Sequence, residues 1–580
     1  MELRLVERLF TELRGSGRRE MRNALTTASY LFLLKFLESG APEHAADAAC
    51  VLSLWSRVAS RAKLRAEDGL ALLQKEGAHC LARAYSNPHM DGAQNALLSI
   101  PVHDLVPVLE TVDALWEQSR TGRKKTPAEI FEGVIVYAER SGATSPSLGQ
   151  FFTPMHLARV MADLVRPTPT DRVVDLSAGA GHLLLAAYGI LQRQTAPDSA
   201  RLHFRADGLV YSSRGKIAGG SFPLIGYEID PTMALAGWTL LRLSGLDSPE
   251  IECCDVLGSD FEQRFARGEI PKADIVLANP PFGDLVNRKY LGEQLQKIDT
   301  ELTEVLFFER LLDVLRDGGR AAVLVPDGLL RNKTRAALSL RERLMCANQV
   351  RAIVSLPSGV FLPYTNTKTS LIIFSRGGRT SSPVWCYRVS RDGFALTARR
   401  TEQASDSDLW DLRAQYAIAL DLPAPIWVPG LLSAEDWRRF REELHPELAS
   451  SGYVAPLIEE QIETRGFGKR ARSERTANVS AVEVRERSRP TRWYASPDEI
   501  ASHAYNLCAE TYAPHVEPEE ERIDVAQLAR EIREIEKQRR EAEASLAAML
   551  SQLYPDLREA IEAAYLPRGE DGAPLGTNDH

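Results

Sequence analysis

The residues best equipped for chemistry in this 580-residue chain lie at Asn279-Pro280-Pro281-Phe282. Pro280 offers a carbonyl acceptor but no N–H, and the side-chain carbonyl of Asn279 is a second acceptor beside it. Pro281 fixes its own φ and pushes Pro280 away from the helical region, so the two acceptors stand in a stiff, extended frame. Phe282 adds an aromatic face. Two acceptors and a ring suit a planar aromatic amine. The preceding run, 273–278, is apolar and bounded by polar residues, which predicts a buried strand of a parallel sheet. Asn279 then stands at the carboxyl end of that strand, where open α/β sheets place their ligands. A plain sharp exit from a strand would use the same Asn-Pro-Pro turn, so the weight falls on what the rest of the chain brings to this position.

Three other strand ends supply candidates. Residues 172–183 read as a strand, a small-residue turn and an apolar helix, with Asp175, Ser177, Ala178, Gly179 and Gly181 in the turn. The two glycines let backbone approach a ligand closely, as in dinucleotide folds, although a tight turn alone would also use them. Position 184 is Leu, where a nicotinamide fingerprint would want a third glycine. The strand at 224–230 ends in acids, and a carboxylate there can accept both hydroxyls of a ribose; Glu228 is the first choice and Asp230 the second. The segment 251–257 gives a further strand end with Asp255. Upstream, Gln150-Phe151-Phe152-Thr153-Pro154 predicts a helix start, with Thr153 as cap and Pro154 in the first turn. Each acid alone also reads as a surface cap; their order at successive strand ends, followed by Asn279, is what singles them out.

The segment at 279–282 resembles the catalytic motif of adenine-N6 DNA methyltransferases. The whole chain is similar to the modification (M) subunits of type I restriction-modification systems, in Gln150–Pro154, in Leu356-Pro357-x-Gly359-Val360-Phe361, in Arg391-Asp392-Gly393-Phe394 with Arg399-Arg400, and in Tyr505-Asn506-Leu507. The resemblance implies an α/β fold: a Rossmann-like class I methyltransferase sheet, mostly parallel with one antiparallel strand, an N-terminal helical domain and a C-terminal helical or coiled-coil tail. It implies S-adenosyl-L-methionine as methyl donor and no metal. Gln150, Phe151, Phe152, Thr153 and Pro154 would close over the methionine end. Asp175 would lie near the amino-acid part, with Ser177, Ala178, Gly179 and Gly181 in the same motif, and Asp255 would accept from the donor's adenine amino group. Asn279 and Pro280 would accept from the amino group of an adenine flipped out of double-stranded DNA, with Phe282 stacked on it. The implied partners are a specificity subunit docked on the C-terminal helix, a second M subunit and a restriction subunit. Two rivals use related motifs or folds: a protein glutamine N5-methyltransferase, and a non-catalytic DNA-binding scaffold.

Composition fits this reading. Apolar residues make up 44% and charged residues 26%, ordinary for a globular protein, and the net charge of −9 argues against gripping DNA with the whole surface. Seven scattered cysteines and eleven histidines show neither a disulfide framework nor metal-ligand spacing. The apolar run at 28–37 is short and contains Lys35, so no membrane span and no signal peptide is read, and the expected compartment is the bacterial cytoplasm. The expected division is a helical domain at 1–140, a methyltransferase domain at 141–405, a C-terminal extension with a basic linker at 406–515, a long partner-docking helix at 516–565 and a disordered tail at 566–580. Thr303 to Leu315 reads as a helix stopped by Asp317-Gly318-Gly319, and residues 188–224 as an inserted hairpin or flap. Nine Lys or Arg at 465–492 suit either a solvated linker or a phosphate-contacting loop, as does the basic cluster at 120–125. Val525, Leu528, Ile532, Ile535, Ala542, Leu546, Met549 and Leu553 form a heptad stripe.

Overall fold

The computed structural model describes residues 2–15, 20–39, 53–85, 87–120, 126–143, 152–195, 202–204, 210–212, 222–283, 285–397, 400–420, 492–514 and 537. The heptad stripe, the tail, the basic run before Arg492, the cluster at 120–125 beyond the backbone of Arg120, and Gln150, Phe151 and Arg399 lie outside these residues.

Among the described residues nine α-helices precede the first strand, and the first eight of them form the helical region: α1 (Glu2–Arg14), α2 (Met21–Glu38), α3 (Leu54–Leu64), α4 (Ala66–Leu72), α5 (Ala78–Tyr85), α6 (Ala93–Leu98), α7 (Leu105–Arg120) and α8 (Pro127–Ala138). Helix α2 is apolar on nearly every side, and twelve of its residues are buried. A helix of that kind must be covered all round. Phe32 meets Phe131 of α8 at 5.1 Å and Trp116 of α7 at 6.2 Å. Helix α8 starts on a capping box between Thr126 and Glu129, with Pro127 in the first turn.

The remaining described elements are built on a nine-stranded sheet. Its strands are β1 (Val173–Asp175), β4 (Leu224–Glu228), β5 (Glu250–Cys253), β6 (Ala273–Ala278), β7 (Leu315–Pro326), β8 (Asn348–Ser355), β9 (Thr369–Arg376), β10 (Val384–Arg388) and β13 (Arg492–Ala495), in the order β13-β10-β8-β9-β7-β6-β1-β4-β5. Two small antiparallel pairs stand apart: β2 (Leu202–Phe204) with β3 (Val210–Ser212), and β11 (Asp392–Phe394) with β12 (Glu402–Ser407). The β2–β3 pair is the hairpin expected in the 188–224 insertion. Helices α9 (Met155–Val165), α10 (His182–Thr195) and α11 (Pro231–Leu243) cover one face, and α12 (Ser259–Ala266), α13 (Glu293–Gln296), α14 (Thr303–Val314), α15 (Asp327–Arg331) and α16 (Arg335–Ala347) the other. In β6, Ile275 and Leu277 enter one core while Val276 and Ala278 enter the opposite one. Burial on both faces is why this strand is a continuous apolar run rather than an alternating one.

Three details differ from the sequence expectations. The expected antiparallel strand is β9, which runs against both β7 and β8; β13 adds a second at the sheet edge, paired with β10. Thr153 does not cap α9: Pro154 is the N-cap residue and no side-chain bond is made there. The Gly318–Gly319 pair does not stop α14. Leu315 is already extended, and the glycines form an irregularity in β7, where the pairing with β6 jumps from Leu315 to Arg320. Gly318 has φ +73°, and a Cβ on Gly319 would fall 2.8 Å from the carbonyl of Arg316, so glycine is needed for the bulge.

Candidate active site

Strands β6, β1, β4 and β5 are neighbours and mutually parallel, so their carboxyl ends line one edge of the sheet. In that order they carry Asn279, the turn from Asp175 to Gly181, Glu228 and Asp255. Three strand spacings span roughly 15 Å, the length of an extended nucleoside with an amino-acid arm. The order reverses at β1, a topological switch point of the sort where open α/β sheets bind ligands.

The strand ends are joined by hydrogen bonds. Ser177 Oγ donates to the backbone carbonyl of Asn279 at 3.2 Å, tying the glycine turn to the proline-stiffened tip. Asp175 Oδ1 accepts the Ser177 N–H at 3.0 Å. Asp175 is 1% exposed, and its Oδ2 is buried with no hydrogen-bond partner among the described residues. Burial pushes its carboxyl up to about 7, with the charge of Glu228 adding to the effect. Glu228 accepts the Gly179 N–H at 2.8 Å and the Asp230 N–H at 2.9 Å; burial raises its pKa against those two bonds. Gly179 and Gly181 have φ of +51° and +77°, the left-handed region that a side chain would strain.

Asp230 is engaged elsewhere. Its Oδ1 caps α11 through Thr232 and Met233, and its Oδ2 accepts from Arg22 of α2 at 2.5 Å. That leaves Glu228 as the better placed of the two acids. Asp255 is exposed just past β5 and bonds the Leu257 N–H at 3.0 Å. At the tip, Asn279 is 8% exposed, Pro280 is buried, Pro281 is half-buried, and the Phe282 ring meets Phe361 edge-on at 5.8 Å. Gly283, at φ +75°, donates its N–H to Glu304 Oε1 at 2.6 Å, which fixes the exit from the tip. On the other side, Phe152 leans on the glycine turn: a Cβ built on Gly179 would lie 3.6 Å from its ring. Phe152 also sits edge-on to His182 at 5.7 Å, and burial lowers that histidine to about 4, so it stays neutral. Asp392 of the Arg-Asp-Gly-Phe segment is fully buried between His156 of α9 and Arg400, which gives that segment a bracing role.

Several side chains at the site carried no signal in the sequence. Ile229 is 58% exposed between Glu228 and Asp230, an apolar platform at a strand end. Its only signature is an isoleucine between two acids. Glu139 and Tyr364 bond to each other across 225 positions, a separation no local pattern encodes. Among the described residues no group of three or more His, Cys, Asp or Glu could hold a metal ion. A cavity of about 910 Å³ opens between the helical region and β5, lined by Tyr30, His89, Glu252 and Arg264 among others; it contains neither Asp175, Glu228 nor Asn279.

The family model for N-6 DNA methylase matches residues 124–419, just over half of the chain. The chain belongs to the N-6 DNA methylase family. That span includes every strand-end residue above. Among curated members, the type I restriction enzyme StySJI methylase subunit of Salmonella typhimurium is 28% identical over 316 residues, covering 52% of this chain and 55% of that one. The EcoKI methylase subunit of Escherichia coli K12 is 28% identical over 279 residues, covering 47% and 48%. The chain thus spans about half the length of the curated methylase subunits it matches. A solved chain from a study of assembly and conformational transition in a type I R-M system aligns with TM-score 0.53 at 19% identity, over 95% of this chain and 97% of that one. A modification subunit from Vibrio vulnificus aligns with TM-score 0.51 at 20% identity, over 71% and 89%. These likenesses support the class I methyltransferase fold. No helix among the described residues is long and apolar enough to cross a membrane.

Proposed function

We propose that this chain transfers the methyl group of S-adenosyl-L-methionine to N6 of an adenine flipped out of double-stranded DNA, as the modification subunit of a type I-like restriction-modification or phage-defence system. The observation that carries this reading is the Ser177 Oγ to Asn279 carbonyl bond, which brings the acceptor tip and the glycine turn to one place. The residues fit the donor. The buried Asp175 Oδ2 suits its ammonium, Glu228 its ribose hydroxyls, Asp255 its purine amine, and the exposed face of Ile229 its flat ring. Gly179 and Gly181 admit it without a Cβ, and Phe152, Thr153 and Pro154, with Gln150 and Phe151, close over it. When bound, the donor supplies an electrophilic methyl on a sulfonium. Asn279 and the Pro280 carbonyl accept the two hydrogens of the adenine amino group, which draws the nitrogen lone pair out of conjugation and aims it. Phe282 holds the base by its face. Catalysis would be positioning plus electrostatics, with no covalent intermediate: the S–CH3 bond would break as the N6–CH3 bond forms, its electron pair staying on the departing thioether, and N6 would release one proton to solvent. The base is unreachable in the stack and must flip.

The sequence recognised is read by another chain: a specificity subunit docks on the C-terminal helix, and a second M subunit and a restriction subunit complete the assembly in the cytoplasm. The test is tritium transfer from labelled donor to DNA, with and without the co-expressed partner. Asn279→Ala should keep donor binding and lose adenine methylation; undiminished methylation in that variant overturns the role of Asn279. Label in glutamine of a protein substrate, or in nothing, overturns the reading itself.

A further inference from the structure

Glu139 follows α8 at the end of the helical region and is 4% exposed. Its two carboxylate oxygens hold two different loops. Oε1 accepts the backbone N–H of Phe152 at 3.3 Å, and Oε2 accepts the hydroxyl of Tyr364 at 2.5 Å. Those donors belong to opposite sides of the strand-end cluster. Phe152 is the ring that leans on Gly179, the donor side. Tyr364 belongs to the turn that carries Phe361: its N–H donates to the Phe361 carbonyl at 2.9 Å, and Phe361 meets Phe282 edge-on. Contacts therefore run without a break from Phe282 through Phe361, Tyr364, Glu139 and Phe152 to Gly179. The carboxylate at the middle is costly to bury. Desolvation pushes Glu139 up to about 7, against the lowering effect of its two hydrogen bonds and of Arg140 nearby. An acid kept at such a cost between two walls of one site is a candidate for function rather than for packing.

We propose that Glu139 is a positioning residue for methyl transfer, tying the donor-side wall at Phe152 to the base-side wall at Phe361 so that filling one half of the site orders the other. This rests on the methyltransferase reading above. Coupling of this kind is reciprocal: the donor favours the base-ready wall as much as the base favours the donor-ready one.

The test uses the full-length chain and Glu139→Ala, Glu139→Gln and Tyr364→Phe. Calorimetry measures binding of S-adenosylhomocysteine, and tritium transfer to unmodified DNA is timed with the DNA-recognising partner present. Losing hydrogen bonds to a buried charge gives Glu139→Ala about tenfold weaker binding and about tenfold lower kcat at saturating donor. Glutamine can accept from Phe152 with its carbonyl and donate to Tyr364 with its amide, so Glu139→Gln recovers both to within about threefold. Tyr364→Phe cuts only the base-side tie: kcat falls about fivefold, donor affinity without DNA stays within about threefold, and adding it to Glu139→Ala costs nothing further. A merely structural Glu139 would lower the melting temperature and leave affinity and kcat per folded molecule at wild-type values; that result overturns the proposal. Should Glu139→Ala fail to fold, Tyr364→Phe decides, and an unchanged kcat overturns the tie. If the wild-type chain methylates no adenine, the functional reading fails separately, and the affinity of Glu139→Ala still upholds or overturns the donor-side half.

Discussion

Asp175 carries a conflict between stability and binding. Its buried carboxyl has an oxygen with no hydrogen-bond partner among the described residues, and burial raises its pKa from about 3.8 to about 7. An acid whose folded pKa lies above its unfolded one contributes stability that is present below pH about 4 and is lost as pH rises through about 7. Glu228, raised by burial, acts in the same direction. The ligand-free protein should therefore melt at lower temperature at pH 8 than at pH 5. Asp175→Asn should flatten that slope and gain on the order of a few kcal/mol at pH 8. The same change removes the anion that an ammonium needs, so binding of S-adenosylhomocysteine should fall by at least about tenfold. Melting scans across pH, with calorimetry at pH 8, check both halves. A variant that is no more stable at pH 8, or that still binds normally, contradicts the assignment.

At the scale of elements, the glycine turn is shaped as much by a neighbouring helix as by its own residues. A Cβ on Gly237 of α11 would fall 2.9 Å from the carbonyl carbon of Ala180 and 3.0 Å from the carbonyl oxygen of Gly179. Gly237→Ala gains about 1 kcal/mol in helix propensity. Overpacking against backbone that cannot give way loses about 1–3 kcal/mol. The second effect should win: lower melting temperature, and donor binding weakened by a residue that touches no ligand. A raised melting temperature with unchanged affinity would show that the turn yields. The same contrast explains what the sequence makes legible. The β6 run, the Gly179–Gly181 turn and the acid ending β4 are local signals, because strand period, positive φ and strand-end position are set within a few residues. Thr153 failing to cap and Gly318–Gly319 forming a bulge are local errors of one to four residues, and the second is decided by how β7 pairs with β6. Gly237 against Ala180, Arg22 on Asp230 and Tyr364 on Glu139 are tertiary pairings, and nothing in the flanking residues announces them.

At the scale of the whole molecule, the helical region and the sheet share one core. Buried residues of α1, α2, α7 and α8 are continuous with those of α9, α10, α11 and one face of the sheet. Packing is therefore continuous from the helices before position 140 to those after it. The far end of the chain contributes to the same unit: β13 closes the sheet against β10, and Arg388 pairs with Glu510 beyond it. That unit runs from Met1 to Pro514, and His515–His580 form another. Since β13 and Glu510 belong to the first unit, removing residues 515–580 takes away none of the strand-end or core residues named above. The heptad stripe from Val525 to Leu553, which the proposed function assigns to a partner helix, goes with the removed part. A chain ending at Pro514 should therefore bind S-adenosylhomocysteine within about twofold of the full-length affinity, because no donor-site group is lost. On the proposed function, it should no longer co-purify with a specificity subunit, and adenine methylation in cells should disappear. Retained co-purification would move the docking surface onto the first unit, and lost donor binding would mean that residues after 514 reach the site.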